Sequence, residues 1–275
     1  MKVISLSSGS KGNVTLVITT KYNILIDVGL SMKKIDRLLM MSEGLTLDDI
    51  DLVFISHVHQ DHLMSFNTIY NKYPHISFFM DTKLKQEVEA KLEKKYDRVV
   101  LIDKKVVGND LIIENFELKH DAYCLGWKVT DISSGDSLVF VADNGSLWDK
   151  DIISKLINAE YYCIESNYDE LSQYFDTTRN AILKRRVLGN KGHNSNLDAI
   201  SLATKLIGER TKQVQFTHLS EHTNTPELAL KTHLAYLEVW GKLEEWKHIL
   251  ISYGHQNEIV YLDRGKTHKE IRGVR

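Results

Sequence analysis

The segment His57-Val58-His59-Gln60-Asp61-His62 places three imidazoles and one carboxylate in six consecutive positions, directly after the apolar run Leu52-Val53-Phe54-Ile55-Ser56. Neutral imidazole nitrogen and carboxylate oxygen suit zinc, manganese or iron, and the lack of cysteine in the cluster argues against a closed structural zinc site. The competing reading is a polar loop whose histidines are each satisfied by hydrogen bonds. It would have to bury several polar groups with no cation among them, which is costly. A metal is therefore the expectation.

The elements that must position this cluster can be outlined from pattern. Val3 to Leu6, Val14 to Thr19 and Asn23 to Asp27 read as short strands separated by Gly9-Ser10-Lys11-Gly12-Asn13 and by Lys21-Tyr22. Met32 to Met41 has helical spacing, and the run from Asp51 to Ser56 is a buried strand that delivers the histidines. A helix from Asp61 to Tyr73, a strand from Ile76 to Met80 and a charged helix from Lys83 to Lys95 follow. Val99 to Leu101, Leu111 to Leu118, Gly126 to Val129, Ser137 to Val141, Tyr161 to Ile164 and Gln213 to Phe216 are strand-like. Helices are expected around Asp151 to Leu156, Asp198 to Ile207 and Pro226 to Leu237. Two halves of this kind, with loops converging at one edge, describe an α/β protein with a four-layer αββα sandwich.

Length and composition set further bounds. The 275 residues fit one large domain over 1–275, and only two prolines, Pro74 and Pro226, interrupt the chain. The 37 acidic and 35 basic residues leave a net charge of -2, so bulk charge names no partner. Cys124 and Cys163 are isolated, which argues against a disulfide framework, and no apolar run is long enough to span a bilayer. A cytoplasmic protein with no membrane association is expected.

At this point the chain resembles the metallo-β-lactamase superfamily, whose HxHxDH signature is matched by His57, His59, Asp61 and His62. Asp27, closing Ile24-Leu25-Ile26, looks like that family's first-motif aspartate, which orients the metal loop. His120, Asp143 and His218 look like its third, fourth and fifth motifs. The resemblance implies that one metal takes His57, His59 and His120, that a second takes Asp61, His62 and His218, and that Asp143 bridges them. Two divalent cations (Zn2+ or Mn2+) roughly 3.5–4 Å apart in such sites activate a shared water, giving a metal-bridged hydroxide as nucleophile near Asp61, and clamp the attacking and leaving oxygens.

Within the superfamily the chain is similar to the YycJ/WalJ group of small nuclease-like proteins. The shared segments are Ser7-Ser8-Gly9-Ser10-Lys11-Gly12-Asn13, Asp27-Val28-Gly29-Leu30, His120-Asp121-Ala122, Lys184-Arg185-Arg186, Gly192-His193-Asn194-Ser195-Asn196 and His218-Leu219-Ser220. Asn144 and the turn Glu221-His222-Thr223-Asn224 depart from the group's pattern. Tyr162-Cys163-Ile164-Glu165-Ser166 resembles the glutamate segment of RNase Z-type tRNA processing enzymes, and His193 with Ser195 their later histidine motif. That likeness implies that Glu165 holds His193 protonated as a general acid, because a carboxylate neighbour raises an imidazole pKa. The alternative is a loop histidine capping the helix at Asn196.

Other residues carry weaker readings. Ser10, Asn13, Lys184, Arg185, Arg186, Asn196 and His222 are candidate substrate contacts, the basic trio also reading as a solvated helix face. Tyr168, Tyr174 and Phe175 could stack a base or pack a helix on the sheet. His75, His233, His248, His255 and His268 have no clustered partners, so surface or core roles are their default.

The resulting expectation is a metal-dependent phosphodiesterase acting on nucleic acid, an exonuclease. The alternatives are a phosphodiesterase for a cyclic nucleotide and an inactive metal-binding scaffold. The spans from His62 to His120 and from Asp143 to His218 leave no room for a β-CASP insertion. A homodimer is expected by analogy with phosphodiesterases of this fold.

Overall fold

In a computed structural model, which describes residues 1–103, 105–141, 143–145 and 149–267, two seven-stranded sheets share one continuous hydrophobic core. The strands are β1 (Lys2–Ser7), β2 (Val14–Ile18), β3 (Asn23–Ile26), β4 (Leu52–Phe54), β5 (Ser77–Met80), β6 (Val99–Leu101), β7 (Lys105–Val107), β8 (Leu111–Leu118), β9 (Cys124–Asp131), β10 (Ser137–Val141), β11 (Tyr161–Glu165), β12 (Gln213–Thr217), β13 (Leu250–Tyr253) and β14 (Val260–Tyr261). The helices are α1 (Met32–Glu43), α2 (Gln60–Leu63), α3 (Phe66–Lys72), α4 (Thr82–Leu92), α5 (Lys150–Leu156), α6 (Glu170–Phe175), α7 (Ala181–Leu188), α8 (Asn196–Leu206) and α9 (Pro226–Val239).

Each sheet has an antiparallel and a parallel half. In the first, ordered β14-β1-β2-β3-β4-β5-β6, pairing is antiparallel up to β3 and parallel from β3 to β6. In the second, ordered β13-β12-β11-β10-β9-β8-β7, it is antiparallel from β7 to β10 and parallel from β10 to β13. Parallel strands are covered on both faces, which is why Ile24-Leu25-Ile26 and Tyr161-Tyr162-Cys163-Ile164 read as unbroken apolar runs. The carboxyl ends of β3, β4, β10, β11 and β12 release Asp27, the His57 loop, Asp143, the residues after Glu165, and His218.

The two sheets are joined beneath the histidine loop. Phe54 of β4 stacks on Trp127 of β9 with ring centroids 5.0 Å apart, and meets Phe79 of β5 edge to face at 5.1 Å. The Trp127 indole N–H donates to the Ile55 carbonyl (3.3 Å), and the Leu125 N–H donates to the Ser56 carbonyl (2.8 Å). The loop after β4 is thus tied to the opposite sheet before the first histidine begins.

The αββα sandwich agrees with the expectation from sequence, with two local differences. The helix expected from Asp61 to Tyr73 is divided into α2 and α3, because the Ser65 N–H and hydroxyl bond the Val28 and Leu30 carbonyls. Strands β7, β13 and β14 and helices α6 and α7 had no clear pattern. They are short or lie at sheet edges, where little apolar periodicity accumulates. His233 is buried, His75 and His248 are exposed, His255 is half-buried, and His268 lies outside the described residues.

Two glycines set how closely the loops can approach. A Cβ at Gly29 would lie 1.6 Å from the Asp61 carbonyl oxygen, and one at Gly12, whose φ is +148°, would lie 2.4 Å from the Gly29 oxygen. Those contacts press the Gly9–Asn13 turn and the residues after Asp27 onto the histidine loop. Gly29→Ala is therefore expected to destabilise the fold by about 2–3 kcal/mol, at the upper end of overpacking costs. Urea denaturation checks this, and wild-type stability in the variant would show that the loops do not need this approach.

Candidate metal centre

The centre begins with Asp27. This residue is buried and has φ 63°, a left-handed conformation that a non-glycine residue adopts only when its surroundings over-determine it. Its backbone N–H donates to the Phe54 carbonyl (2.8 Å), while Oδ1 accepts from the Ser56 N–H (2.7 Å) and Oδ2 from the Ser56 hydroxyl (2.8 Å). His62 Nδ1 lies 2.6 Å from Oδ2 and Ser56 Oγ lies 2.9 Å from His57 Nδ1. With the hydroxyl proton directed at Asp27, His57 Nδ1 must donate to Ser56. Both histidines then carry hydrogen on Nδ1, which makes Nε2 the inward atom that can ligate once it is unprotonated.

The other imidazoles are anchored in the same way. His120 Nδ1 donates to the Gly192 carbonyl (3.0 Å), which leaves its Nε2 lone pair facing His59 Nδ1 at 3.3 Å. The outward Nε2 of His59 lies 3.2 Å from Asp121 Oδ1. His218, at φ 56°, is held by Glu165 Oε1 (3.0 Å) and by Asn167 Nδ2, which donates to its carbonyl (2.8 Å).

These side chains converge as two overlapping groups, His57-His59-His120-Asp143 and Asp61-His62-Asp143-His218, each with potential ligand atoms within 4.8 Å of one another. Asp143 is common to both. The seven residues read from sequence as ligands are therefore brought together in the two sets that the resemblance implied. A third group, Asp143-Glu165-His193-His218, overlaps the second; there His193 Nδ1 lies 2.6 Å from Glu165 Oε1, as an ion pair.

The residues fit divalent cations. His57 Nε2 and Asp143 Oδ1 are buried and have no hydrogen-bond partner among the described residues. Each such group costs about 1–3 kcal/mol when left without a hydrogen bond. His57 Nε2 faces Asp143 Oδ2 (3.7 Å) in the first group and Asp143 Oδ1 faces His218 Nδ1 (3.3 Å) in the second, so a cation in each group would remove the penalty. Electrostatics supports the same conclusion. Burial and the surrounding imidazoles push His57 well below its ordinary value, and burial and His120 lower His59. Burial also opposes charge on His62, yet Asp143, Asp27 and Asp61 outweigh it and raise that imidazole to about 9. His218 is likewise raised, by Asp143, Asp61 and Glu165 against burial. The carboxylates of the second pocket thus stabilise positive charge, which bound protons or a cation can supply.

The remaining candidates divide. Asn13 is buried, its Nδ2 donating to the Gly9 carbonyl (3.0 Å) and lying 3.0 Å from His62 Nε2, so it braces the centre. The N–H groups of Gly9, Lys11, Gly12 and Asn13 are all bonded within the protein, which leaves exposed Ser10 as the outer residue of a brace. Asn196 is a correction: it is fully buried and its amide bonds Ser166 and Asn224, so it offers no atom to a substrate. His193 does not cap α8, because Ser195 and Asp198 form a capping box there. Arg186 pairs with Asp121, Lys184 donates to the Tyr174 carbonyl (3.0 Å), and Arg185 and His222 are exposed. Tyr168 is buried, whereas Tyr174 and Phe175 stand in solvent.

Sequence reasoning missed Ser56, Asp121 and Asn167 as partners of the histidines. Asp121 directly follows His120 and Asn167 lies two positions after Glu165, but neither position says which imidazole it will meet.

Known proteins place this geometry in context. The sequence profile of the metallo-beta-lactamase superfamily matches residues 8–141. The exodeoxyribonuclease WalJ of Streptococcus pneumoniae serotype 2 (strain D39 / NCTC 7466) is 31% identical over 236 residues, covering 82% of this chain and 84% of that protein. The chain belongs to the metallo-beta-lactamase superfamily. The exodeoxyribonuclease YycJ of Bacillus anthracis is 28% identical over 245 residues, covering 86% of this chain and 89% of that protein. The crystal structure of the metallo-beta-lactamase fold protein YhfI from Bacillus subtilis superposes with a TM-score of 0.65 at 16% identity, covering 94% of this chain and 98% of that one. A metallo-beta-lactamase superfamily member with this His/Asp centre is a metal-dependent hydrolase. No helix among the described residues is long and apolar enough to cross a membrane.

Because a protonated imidazole cannot ligate, a cation entering the second pocket must displace protons from His62 and His218. One of two zinc-binding steps is therefore expected to weaken as pH falls from 9 to 6, by up to about tenfold per pH unit for each proton displaced. The other step, drawing on His57 and His59 that are already neutral at pH 7, should change little over the range. Chelator-competition titrations at several pH values check this, and two equally pH-insensitive steps would contradict it.

Proposed function

We propose that the protein is a two-metal phosphodiesterase that acts on nucleic acid as an exonuclease, with DNA as the first substrate to test. The observation that carries this reading is the Glu165–His193 pair beside two pockets that share Asp143. It is supported by the exodeoxyribonuclease names of the relatives that align over most of the chain.

Two divalent cations, zinc or manganese, held by His57, His59 and His120 and by Asp61, His62 and His218 around Asp143 would activate water and compensate the charge of a phosphodiester. The residues do the rest. Asp27 and Ser56 fix the imidazoles, and Asp143 keeps the two pockets in register. Glu165 is buried, which alone would favour its neutral form, but His193 and His218 hold its carboxyl well below the usual range, so it stays ionised. Burial disfavours the His193 imidazolium, and the Glu165 charge and hydrogen bond more than offset this, so its pKa is raised. His193 keeps some solvent exposure, with its Nδ1 on Glu165. Its Nε2–H is then free to protonate the departing alkoxide, a step worth typically 100- to 10,000-fold.

This assignment separates substrates by leaving group. His193→Ala is expected to slow hydrolysis of single-stranded DNA by about 100-fold or more, and of thymidine 5′-monophosphate p-nitrophenyl ester by less than about tenfold, since p-nitrophenolate needs no proton. Equal losses on both esters would remove the general-acid role. In wild type the DNA rate should fall as pH rises through the raised His193 value, because the acid must be protonated.

The substrate is tested by assaying single-stranded DNA, RNA and a cyclic nucleotide side by side, with Asp61→Ala/His62→Ala as control. Polymer turnover lost in the control is the expected result. Turnover of the cyclic nucleotide alone would replace the nuclease reading with a small-phosphodiester one, and no turnover with metal bound would leave a scaffold.

A further inference from the structure

We propose that α6, α7, the turn between them and the residues that follow α7 as far as Lys191 form a platform for an unpaired nucleic-acid strand, with Tyr174 and Phe175 stacking bases and Arg185 and Lys191 meeting phosphates; this rests on the nuclease reading above.

The segment is unusual in what it leaves in water. Among the described residues, sixteen large hydrophobic side chains are exposed, and six of them, Leu171, Tyr174, Phe175, Ile182, Leu183 and Leu188, fall here. Scattered exposed apolar residues need no explanation, but a concentration in so short a stretch marks a contact surface. Leu171, Tyr174 and Phe175 are spaced i, i+3, i+4 and so share one face of α6. Tyr174 is 72% and Phe175 70% exposed, and their rings sit edge to face at 5.0 Å, which orients both while leaving most of each in solvent.

Charge identifies the partner. Residues 169–191 carry five basic side chains (Arg179, Lys184, Arg185, Arg186 and Lys191) against three acidic ones, in a chain whose net charge is -2. Asp169 caps α6 and Asp176 pairs with Arg179, whereas Arg185 and Lys191 are exposed and have no ion pair among the described residues. Lysine is depleted from protein–protein interfaces, while single-strand sites combine cationic side chains with aromatic rings on which bases stack.

The platform is also attached to the centre through α7 and through the turn that precedes it. Arg186 of α7 is paired with Asp121, which lies 3.2 Å from both His59 Nε2 and His120 Nε2. The His193 N–H donates to the Val187 carbonyl at the end of α7 (3.1 Å). In the turn, Arg179 Nη2 donates to Ser220 Oγ (2.9 Å), two residues beyond His218. The eight residues of α7 span about 12 Å. A strand lying along that length would reach the Asp143 pockets without leaving the protein surface.

The test uses the metal-loaded protein, a dye-labelled fifteen-residue oligothymidylate with phosphorothioate linkages to slow cleavage, and fluorescence anisotropy. Tyr174→Ala/Phe175→Ala is expected to weaken binding roughly 10- to 100-fold, about tenfold per stacked base. Arg185→Ala/Lys191→Ala should flatten the dependence of log affinity on log salt by nearly two phosphate contacts. Val239→Ala/Trp240→Ala, exposed but outside the platform, should bind as wild type does. Wild-type digestion of the unmodified oligonucleotide, with undiminished binding by the Tyr174/Phe175 variant, overturns the platform alone. The same result with loss of a wild-type dimer on light scattering would make the face a protein interface instead. A wild type that neither binds nor digests the oligonucleotide overturns both the platform and the nuclease reading.

Discussion

One buried carboxylate orients a histidine in each of the two candidate metal groups. Asp27 receives the Ser56 amide, the Ser56 hydroxyl and the His62 imidazole, and through Ser56 it also sets His57. His57 belongs to the first histidine group and His62 to the second. The left-handed backbone at Asp27 is tolerable because aspartate adopts that conformation more readily than most residues, and because its N–H is bonded to Phe54. Removing the carboxylate would free both Nδ1 atoms to change tautomer, and the inward lone pairs would no longer be assured.

That geometry gathers groups that would otherwise repel one another. His57 is surrounded by His62, His120, His59 and His218, and this crowding with burial favours its neutral form. The carboxylates of Asp61, Asp143, Glu165 and Asp27 balance the arrangement on the other side. With no hydrogen bond to His57 Nε2 or Asp143 Oδ1 among the described residues, the cluster has a polarity that divalent cations would complete. On the proposed reading His193 is set apart from the candidate ligands by its Nδ1 contact with Glu165, although it stacks on His218 with centroids 5.3 Å apart. The centre therefore separates groups suited to hold cations from a pair suited to move a proton.

Much of this was legible in sequence because the candidate ligands sit where strands end, and strands announce themselves by apolar runs. The β4 run followed by three histidines and an aspartate needs no tertiary knowledge, and Asp143 and Glu165 likewise stand at or just past the ends of the apolar strands β10 and β11. What escaped depends on contacts between distant segments. The break between α2 and α3 is imposed by Ser65 reaching the loop after β3, and no periodicity encodes that. Asn196 was read as a candidate substrate contact within the segment from Gly192 to Asn196; its hydrogen bonds to Asn224 and Ser166 make it a buried strut. Asp121 and Asn167 are single polar residues whose partners lie far along the chain. Helices α6 and α7 lack an apolar face directed at the core, which is also why their exposed side chains are free to serve another surface.

The central claim is that two cations held jointly by the His/Asp cluster are required for phosphodiester hydrolysis. Native mass spectrometry of the chain, with single-stranded DNA hydrolysis measured on the same samples as chelator is added, tests it most directly. The expected result is two divalent ions per chain, loss of hydrolysis as they are removed, and recovery when zinc or manganese is returned. Full hydrolysis by a chain carrying no ion would contradict it.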